Sequence, residues 1–339
     1  MSQSQRSASS ATRPARAGEF EAVRAAAAQI ALEAGAELQR RFALPVQVRF
    51  KSRKDADPVT EADEATERFV RQSVAERFPD HDVLGEEGGG SIQPGAWLWV
   101  VDPLDGTANF ANGLAVFAVS IGVLHHLRPV AAALYTTFGP EGRPCVLSAR
   151  LGGGLLCDGE PFDLPAPALS KRARLSGVPA GIQRAFGLWR LRGQLPGETR
   201  SFGSTAAELG LVATGRWQYA VFSSPRLWDV AAGILLVREA GGAVFTDRRG
   251  RWRPLDRIAP PRGKPLSEWK QALIAGDAAL LRELTGKVRV RHAPRERAER
   301  LFGAERVARA AGWARRLAPA ARLIRRAGAL LPRWARRGG

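Results

Sequence analysis

The sequence predicts an α+β fold in which helices and sheets are arranged in layers, and three features of the chain support this prediction. Residues 17–43 are rich in Ala, Leu, Glu and Arg at helical spacing, which predicts one long helix. Residues 115–124 and 129–138 are two apolar runs joined by HHLR, which is typical of a β-hairpin. The second half alternates helical and strand patterns, as layered sheets do. These segments are the helix 204–214, the strand 217–222, the helix 228–240 and the strand 243–246.

A second helix is expected from Thr60 to Phe78. Thr60 is followed three positions later by Asp63, which resembles a capping box, and Pro79 cannot continue the helix. The remaining expectations come from composition and turn signals. They are strands at 143–148, 160–164 and 271–275, a Gly-rich turn at 149–160, a loop at 247–268 and a last helix capped by Asp277.

The positive charge lies mainly at the two ends of the chain. Of the net charge of +18, residues 287–339 carry +13 (16 Lys and Arg against three Glu) and residues 1–16 carry +3, which leaves +2 for the rest. A uniformly basic nucleic-acid-binding domain is therefore excluded. We expect a disordered segment at 1–16, an N-terminal half at 17–150, a C-terminal half at 151–286 and an Arg-rich, partly helical tail at 287–339.

The most informative segment is WVVDPLDGTANF at residues 99–110. An apolar run ends in Asp102 and Asp105, and Gly106 and Thr107 then form a turn that opens a helix. Two carboxylates beside backbone N–H groups in a Gly-rich turn suit hard cations and a phosphate. A strand that simply ends in a turn also favours Asp, Pro and Gly, so this motif alone leaves both interpretations open.

Four further segments resolve this choice: DPVTEAD at 57–63, LGEEGG at 84–89, GSTAAELGLVATGR at 203–216 and WDVAAG at 228–233. Together with DPLDGT, and in this order, they resemble the inositol monophosphatase family of metal-dependent phosphatases. The resemblance covers roughly residues 20–285. It implies a layered αβαβα sandwich with the active site between its two halves.

The resemblance implies a set of metal ligands. The side chains of Glu86, Asp102, Asp105 and Asp229 and the backbone carbonyl of Leu104 match the family's ligands, with Asp102 bridging two ions. Two or three Mg²⁺ ions are expected, with Mn²⁺ as an alternative. Such ions generate a nucleophilic water and neutralise charge on the phosphoryl group.

The resemblance also implies the remaining site residues. Thr107 and Asp63 match a pair in which the threonine hydroxyl helps to activate the water, and Glu86 belongs to the same catalytic group. A cation in the loop before DPVTEAD completes the family pattern, and spacing does not choose between Lys51, Arg53 and Lys54. The residues expected to bind substrate or phosphate are Gly106, Thr107, Gly203, Ser204, Thr205 and Asp229.

One position departs from the family pattern. Inositol-hydrolysing relatives carry a glutamate six residues before the tryptophan of the WD motif, and this chain has Phe222 there. A phenyl ring cannot accept a hydrogen bond from a hydroxyl group, which weakens selection for a polyol.

From all the motifs together we expect a Mg²⁺-dependent phosphomonoesterase acting on a small, inositol phosphate-like metabolite. The alternatives are a histidinol-phosphatase, a 3′(2′),5′-bisphosphate nucleotidase or a fructose-1,6-bisphosphatase.

The basic tail supports a further hypothesis. Arginines lie between apolar residues at helical spacing, with Trp313 and Trp334 flanking the segment, which suits an anionic membrane surface. Nucleic acid is the second candidate partner for residues 287–339, and a solvated helix is the alternative. A tethered binding protein is thus the non-enzyme hypothesis. A homodimer is a further candidate assembly.

Two cysteines without a CxxC motif and no apolar run of membrane-spanning length predict a cytoplasmic protein, peripheral at the membrane if the tail binds it.

Overall fold

The computed structural model of the chain describes residues 17–44, 48–50, 58–89, 97–178, 186–187, 195–248, 250–260 and 264–290. The chain forms two compact units, Met1–Arg289 and Val290–Gly339. The predicted N-terminal segment 1–16, the basic loop with Lys51, Arg53 and Lys54, and the tail beyond Val290 lie outside the described residues. The division of the first unit at residue 150 stays a prediction.

Six helices lie in the first unit, counted over its described residues, and the predicted long helix at the N-terminus is the first of them. Asp63 accepts hydrogen bonds at Oδ2 from the backbone nitrogen (2.7 Å) and the hydroxyl (2.6 Å) of Thr60, which confirms the predicted start of the second helix. Asp277 caps the last helix, since its Oδ1 accepts from the Leu280 nitrogen at 2.8 Å. The helices are α1 (Ala17–Phe42), α2 (Glu61–Arg77), α3 (Thr107–Ala111), α4 (Thr205–Ala213), α5 (Leu227–Glu239) and α6 (Ala278–Lys287).

The larger sheet has seven strands in the chain order from β3 to β9. The first pair is parallel and the following pairs are antiparallel, and the predicted hairpin forms its centre as β5 and β6. The strands are β3 (Asp82–Gly85), β4 (Trp97–Asp105), β5 (Ala118–His125), β6 (Arg128–Thr136), β7 (Cys145–Arg150), β8 (Leu155–Cys157) and β9 (Glu160–Pro161).

The smaller sheet has six strands in the order β12-β10-β13-β16-β14-β15, with β10 parallel to both of its neighbours. They are β10 (Leu175–Gly177), β12 (Glu198–Arg200), β13 (Trp217–Phe222), β14 (Ala243–Arg248), β15 (Arg251–Pro254) and β16 (Leu273–Gly276). Four short strands lie outside both sheets, and a 3-10 turn spans Leu266–Glu268. These strands are β1 (Val48–Phe50), β2 (Pro58–Thr60), β11 (Phe186–Gly187) and β17 (Arg289–Val290).

The elements form the predicted α+β sandwich. Helices α1 and α2 pack on one face of the larger sheet, α4 and α5 lie between the two sheets, and α6 packs on β16. Strand β4 shows why its sequence is continuously apolar. Leu98 and Val100 belong to the core around α4 and α5, whereas Trp99 and Val101 belong to the core under α1 and α2. A strand buried on both faces needs no polar alternation.

Three sequence predictions need correction. The segment 149–160 is not only a turn, because β8 lies within it between glycines of positive φ, Gly154 and Gly159. Only Glu160 and Pro161 of the predicted strand 160–164 are extended. The predicted loop 247–268 contains β15 and a 3-10 turn. Strands as short as β8, β9 and β15 carry too few residues to show a period.

Strand β4 spans Trp97–Asp105, so Asp102 and Asp105 both lie within it. Among the described residues, no helix has both the length and the apolar character needed to cross a membrane.

Candidate active site

The site is built first from the end of β4. Asp102 lies opposite Ser120 and Asp105 opposite Ala118, so three steps along β4 match two steps along β5. In a regular strand, residues three apart point to opposite faces, and an extra residue in a bulge removes this opposition. The irregularity between Asp102 and Asp105 therefore allows both carboxylates to serve one site. The Leu104 nitrogen donates to Asp102 Oδ1 at 3.1 Å and steadies the turn.

The loop after β3 brings Glu86 to the same place. The Glu86 nitrogen donates to the Val101 carbonyl at 3.2 Å, directly beside Asp102. Carboxylate oxygens of Glu86, Asp102 and Asp229 lie within 4.8 Å of one another. The structure thus brings together three of the four predicted side-chain ligands from three separate segments of the chain.

Asp229 lies in the first turn of α5, where it also caps the helix. Its Oδ2 accepts a hydrogen bond from the Arg226 nitrogen at 2.8 Å. The Ser120 hydroxyl on β5 donates to the Trp228 carbonyl at 3.0 Å, which ties the beginning of α5 to the larger sheet. Trp228 itself is buried in the core between the sheets. The capping bond therefore fixes the Asp229 carboxylate, and the bond from Ser120 fixes the backbone just before it.

The cluster has the electrostatics of a cation site. Burial, and then the negative charge of Glu86, raise the pKa of Asp102 well above its ordinary value. Burial, and then Asp105, raise the pKa of Asp229 to about 8. Converging buried carboxylates destabilise one another unless a positive charge lies between them. Hard divalent cations prefer this all-oxygen donor set, so the residues fit Mg²⁺.

Asp105 lies beside this cluster, and one of its carboxylate oxygens is already occupied by hydrogen bonds within the protein. Its Oδ2 accepts from the Ser204 hydroxyl at 2.7 Å and from the Ala206 backbone nitrogen at the beginning of α4. These bonds oppose the effect of burial, which is larger and raises the pKa of Asp105 to about 6. Asp105 therefore fixes α4 to β4 through Oδ2, and its metal role is a prediction that concerns Oδ1.

Thr107 and Asp63 are paired as expected. The Thr107 hydroxyl lies 3.0 Å from Asp63 Oδ1 and 2.9 Å from the Leu104 carbonyl oxygen. Asp63 is buried, which raises its pKa, and its Oδ2 is already occupied by Thr60. Because a hydroxyl has one proton, it donates to one of these two oxygens at a time and keeps lone pairs for a neighbouring water.

The predicted phosphate-binding residues fall into two groups. Gly106 has a φ of 98° and precedes α3, and a side chain there would meet the Val116 carbonyl, so the turn requires glycine. At the other loop, the Ser204 hydroxyl is bonded to Asp105, and the Gly203 nitrogen donates to Glu208 Oε1 at 3.3 Å. The second loop is thus held by internal hydrogen bonds in this structure.

Three positioning residues were not found from the sequence. Glu67 accepts from the nitrogens of Glu87 (2.7 Å) and Gly88 (2.8 Å) and so holds the loop that carries Glu86. Glu208 accepts from the Phe202 nitrogen at 2.6 Å, and burial raises its pKa to about 7.

The third is Asn109 of α3, whose amide donates to the carbonyls of Val116 (2.9 Å) and Phe202 (2.7 Å). The usable signal for Glu67 was its spacing, since it lies four residues after Asp63 on the same face of α2. No comparable signal marks Glu208 or Asn109.

The chain is similar to known proteins in sequence and in fold. The model of the inositol monophosphatase family matches residues 19–292. The chain is 35% identical over 244 residues to the phosphatase IMPL1 of Arabidopsis thaliana chloroplasts, a match that covers 68% of this chain and 64% of that protein. It is 34% identical over 236 residues to inositol-1-monophosphatase of Rhizobium meliloti, covering 67% of this chain and 86% of that one.

A solved structure shows the same fold. The extragenic suppressor protein SuhB from Bartonella henselae superposes with a TM-score of 0.62 at 28% identity, covering 78% of this chain and 98% of that one.

Proposed function

Because this chain is a phosphatase of the inositol monophosphatase family, we propose that it hydrolyses a small phosphorylated metabolite in a Mg²⁺-dependent reaction that uses two metal ions. The observation that carries this proposal is the convergence of Glu86, Asp102 and Asp229 within 4.8 Å. Asp105 and the Leu104 carbonyl complete the proposed ligand set beside them. Bound Mg²⁺ supplies a water of lowered pKa and neutralises charge on the phosphoryl group.

The side chains of the protein then have defined tasks. Asp63 orients the Thr107 hydroxyl, so that a Thr107 lone pair accepts a hydrogen bond from the attacking water. The backbone nitrogens of Gly106 and Thr107, at the beginning of α3, are proposed donors to the phosphate oxygens. Burial of Asp63 and Asp102 excludes bulk water from one side of the site, which strengthens these interactions.

Inositol 1-phosphate is proposed not to be the best substrate, since Phe222 stands where a hydroxyl acceptor is expected. Phe222 is buried at the end of β13 and belongs to the core between the sheets. Histidinol phosphate, a nucleotide bisphosphate and fructose 1,6-bisphosphate remain in the candidate set. The Aquifex aeolicus relative named fructose-1,6-bisphosphatase/inositol-1-monophosphatase, 28% identical over 221 residues, favours keeping a sugar bisphosphate among them.

A phosphate-release assay over these substrates, with Mg²⁺ and with excess chelator, tests the proposal. We expect turnover of at least one phosphomonoester with Mg²⁺ and none with chelator. Turnover that chelator leaves unchanged would contradict the metal-dependent mechanism. A calorimetric titration with Mg²⁺ in the absence of substrate gives an independent measure of the metal site.

The tail remains a separate proposal: residues 287–339 tether the phosphatase to an anionic surface. Its support is the sequence alone, with +13 on residues 287–339. Because Val288 is buried and its carbonyl accepts a hydrogen bond from Trp252, the truncated form should keep residues 1–290, so that these contacts are preserved. Flotation of both forms with anionic vesicles at low and high salt tests it, and RNA retention of the full chain tests the nucleic-acid alternative.

A further inference from the structure

Two basic residues meet at the rim of the proposed active site. Arg226 and Lys270 form an isolated antiparallel β-bridge just outside the place where β13 pairs with β16. Residues directly opposite in such a bridge have Cα atoms about 4.5–5.5 Å apart and side chains on the same face. The Arg226 and Lys270 side chains therefore leave the backbone together, on one side of the bridge.

This basic pair adjoins the carboxylate cluster of Glu86, Asp102 and Asp229. The Arg226 backbone nitrogen donates a hydrogen bond to Asp229 Oδ2 at 2.8 Å. One member of the basic pair is therefore in direct contact with a proposed metal ligand. The Arg226 guanidinium carbon lies 5.7 Å from the centroid of the Trp228 ring, which gives the side chain a platform. Both basic side chains are exposed, and Glu268, the acid nearest to Lys270 in sequence, pairs with Lys264 at 2.5 Å.

The segment from the end of β13 to the beginning of α5 makes the site less suited to a neutral polyol and better suited to an anionic substrate. Phe222 removes a hydrogen-bond acceptor for hydroxyl groups, and exposed Ser223 and Ser224 follow it. Four residues after Phe222, Arg226 adds a positive charge. A neutral polyol gains nothing from this charge, whereas a carboxylate or phosphate gains charge-assisted hydrogen bonds from guanidinium and ammonium groups.

We propose that Arg226 and Lys270 form a second anion site, which selects phosphomonoesters carrying another anionic group, a carboxylate or a second phosphate. This inference rests on the proposed phosphatase function. A divalent cation held by Glu86, Asp102 and Asp229 would bind the phosphoryl group that is hydrolysed, and the basic pair would bind the group that remains on the product.

Two matched pairs of substrates test the inference. Glycerol 2-phosphate carries a neutral hydroxymethyl group at the position where 2-phosphoglycerate carries a carboxylate. Fructose 1-phosphate and fructose 1,6-bisphosphate differ by a second phosphate. The readout is the ratio of kcat/KM for the anionic member to that for the neutral member, measured at saturating Mg²⁺. We expect the ratio to exceed one in at least one pair, and that pair identifies which anionic group is selected.

Arg226→Gln and Lys270→Gln should each lower this ratio about 10-fold, mainly through KM, because each removes a hydrogen bond to a charged group. Arg282→Gln is the matched control, since Arg282 is exposed on α6, beyond the opposite end of β16. An equal loss on both members of a pair would overturn the inference, because it would indicate a structural effect on Asp229. A ratio that the variants leave unchanged would overturn it as well.

Failure of the proposed function has a different signature, namely no Mg²⁺-dependent turnover of any of the four compounds. Calorimetric titration of the same compounds with Ca²⁺ in place of Mg²⁺ then measures the preference without turnover. Tighter binding of the anionic member that is lost in both variants still supports the second anion site. Equal binding of both members overturns it.

Discussion

The end of β4 and the beginning of α5 both contribute carboxylates to the site, and they differ in how these are held. Around Asp102 and Asp105, a bulge, a turn and hydrogen bonds from Leu104 and Ser204 fix the atoms in a buried setting. Around Asp229, one capping bond fixes the carboxylate, while neighbouring Arg226 is exposed. Both regions thus supply proposed metal ligands, but only the second also presents an exposed basic side chain, Arg226, to which we assign the proposed choice of substrate.

This contrast makes the β4 region the most sensitive to substitution. Asp102→Asn keeps the shape but removes the charge at the proposed bridging ligand, which we expect to lower kcat/KM by about 1,000-fold. This corresponds to the several kcal/mol by which a metal ion stabilises transition-state charge. Phosphate release at saturating Mg²⁺ measures the change, and circular dichroism checks that the variant is folded. A variant with wild-type turnover would remove Asp102 from the mechanism.

A smaller loss is expected at the hydroxyl group beside this ligand. Thr107→Ala removes the group held by Asp63 and should lower kcat about 100-fold with little change in KM, within the range for general acid–base groups. Thr107→Ser restores the hydroxyl and should recover most of the rate. Thr107→Ser as slow as Thr107→Ala would show that the methyl group, through packing, is what matters.

The residues of the site differed in how far the sequence revealed them. The ligands Asp102 and Asp105 are three residues apart in one motif, and the capping pair Thr60 and Asp63 is local, so a chain pattern suffices to find them. Glu208 could not be found this way, because its importance comes from two backbone nitrogens that fold against it. A buried glutamate within a helix has the same local pattern as an exposed one.

The fold shows the same limit. Long helices display a period, and a doubly buried strand such as β4 shows a continuous apolar run, so both kinds of element were predicted to within a few residues. The three-residue strand β8 and the edge strand β15 lie among glycines or arginines, and their pairing partners, not their own sequences, make them strands. The Arg226–Lys270 bridge joins positions 44 residues apart, and only the folded chain shows it.

A third prediction compares the metal-free and Mg²⁺-bound proteins over pH. In the metal-free fold the pKa of Asp105 is about 6 and that of Asp229 about 8, both above the ordinary value of 3.8. The folded state therefore binds more protons than the unfolded state between about pH 4 and 8, and stability falls as pH rises through this window. Each unit of pKa difference corresponds to about 1.4 kcal/mol.

Thermal melting between pH 5 and 8 tests this expectation. Tm should fall with rising pH in chelator, and Mg²⁺ should restore it most strongly at the alkaline end, where the carboxylates are ionised. Asp229→Asn should flatten the pH dependence in chelator, because it removes the group with the higher pKa. A metal-free Tm that rises over this range would contradict the assignment of the cluster as an unneutralised cation site.

The smallest expected effect lies in the substrate-selecting region, at Phe222. In the wild-type protein we expect kcat/KM for inositol 1-phosphate to be below that for the best of histidinol phosphate, fructose 1,6-bisphosphate and nucleotide bisphosphates. Phe222→Gln supplies an acceptor for a hydroxyl group and should raise the ratio of inositol 1-phosphate to that best substrate about fivefold, the value of one neutral hydrogen bond. Phe222→Leu, which restores no acceptor, is the control for lost packing in the core.

Because Phe222 is buried, both variants should lose stability, and the ratio rather than the absolute rate is the informative quantity. A ratio that rises equally in both variants would assign selectivity to the size of the ring and not to hydrogen bonding.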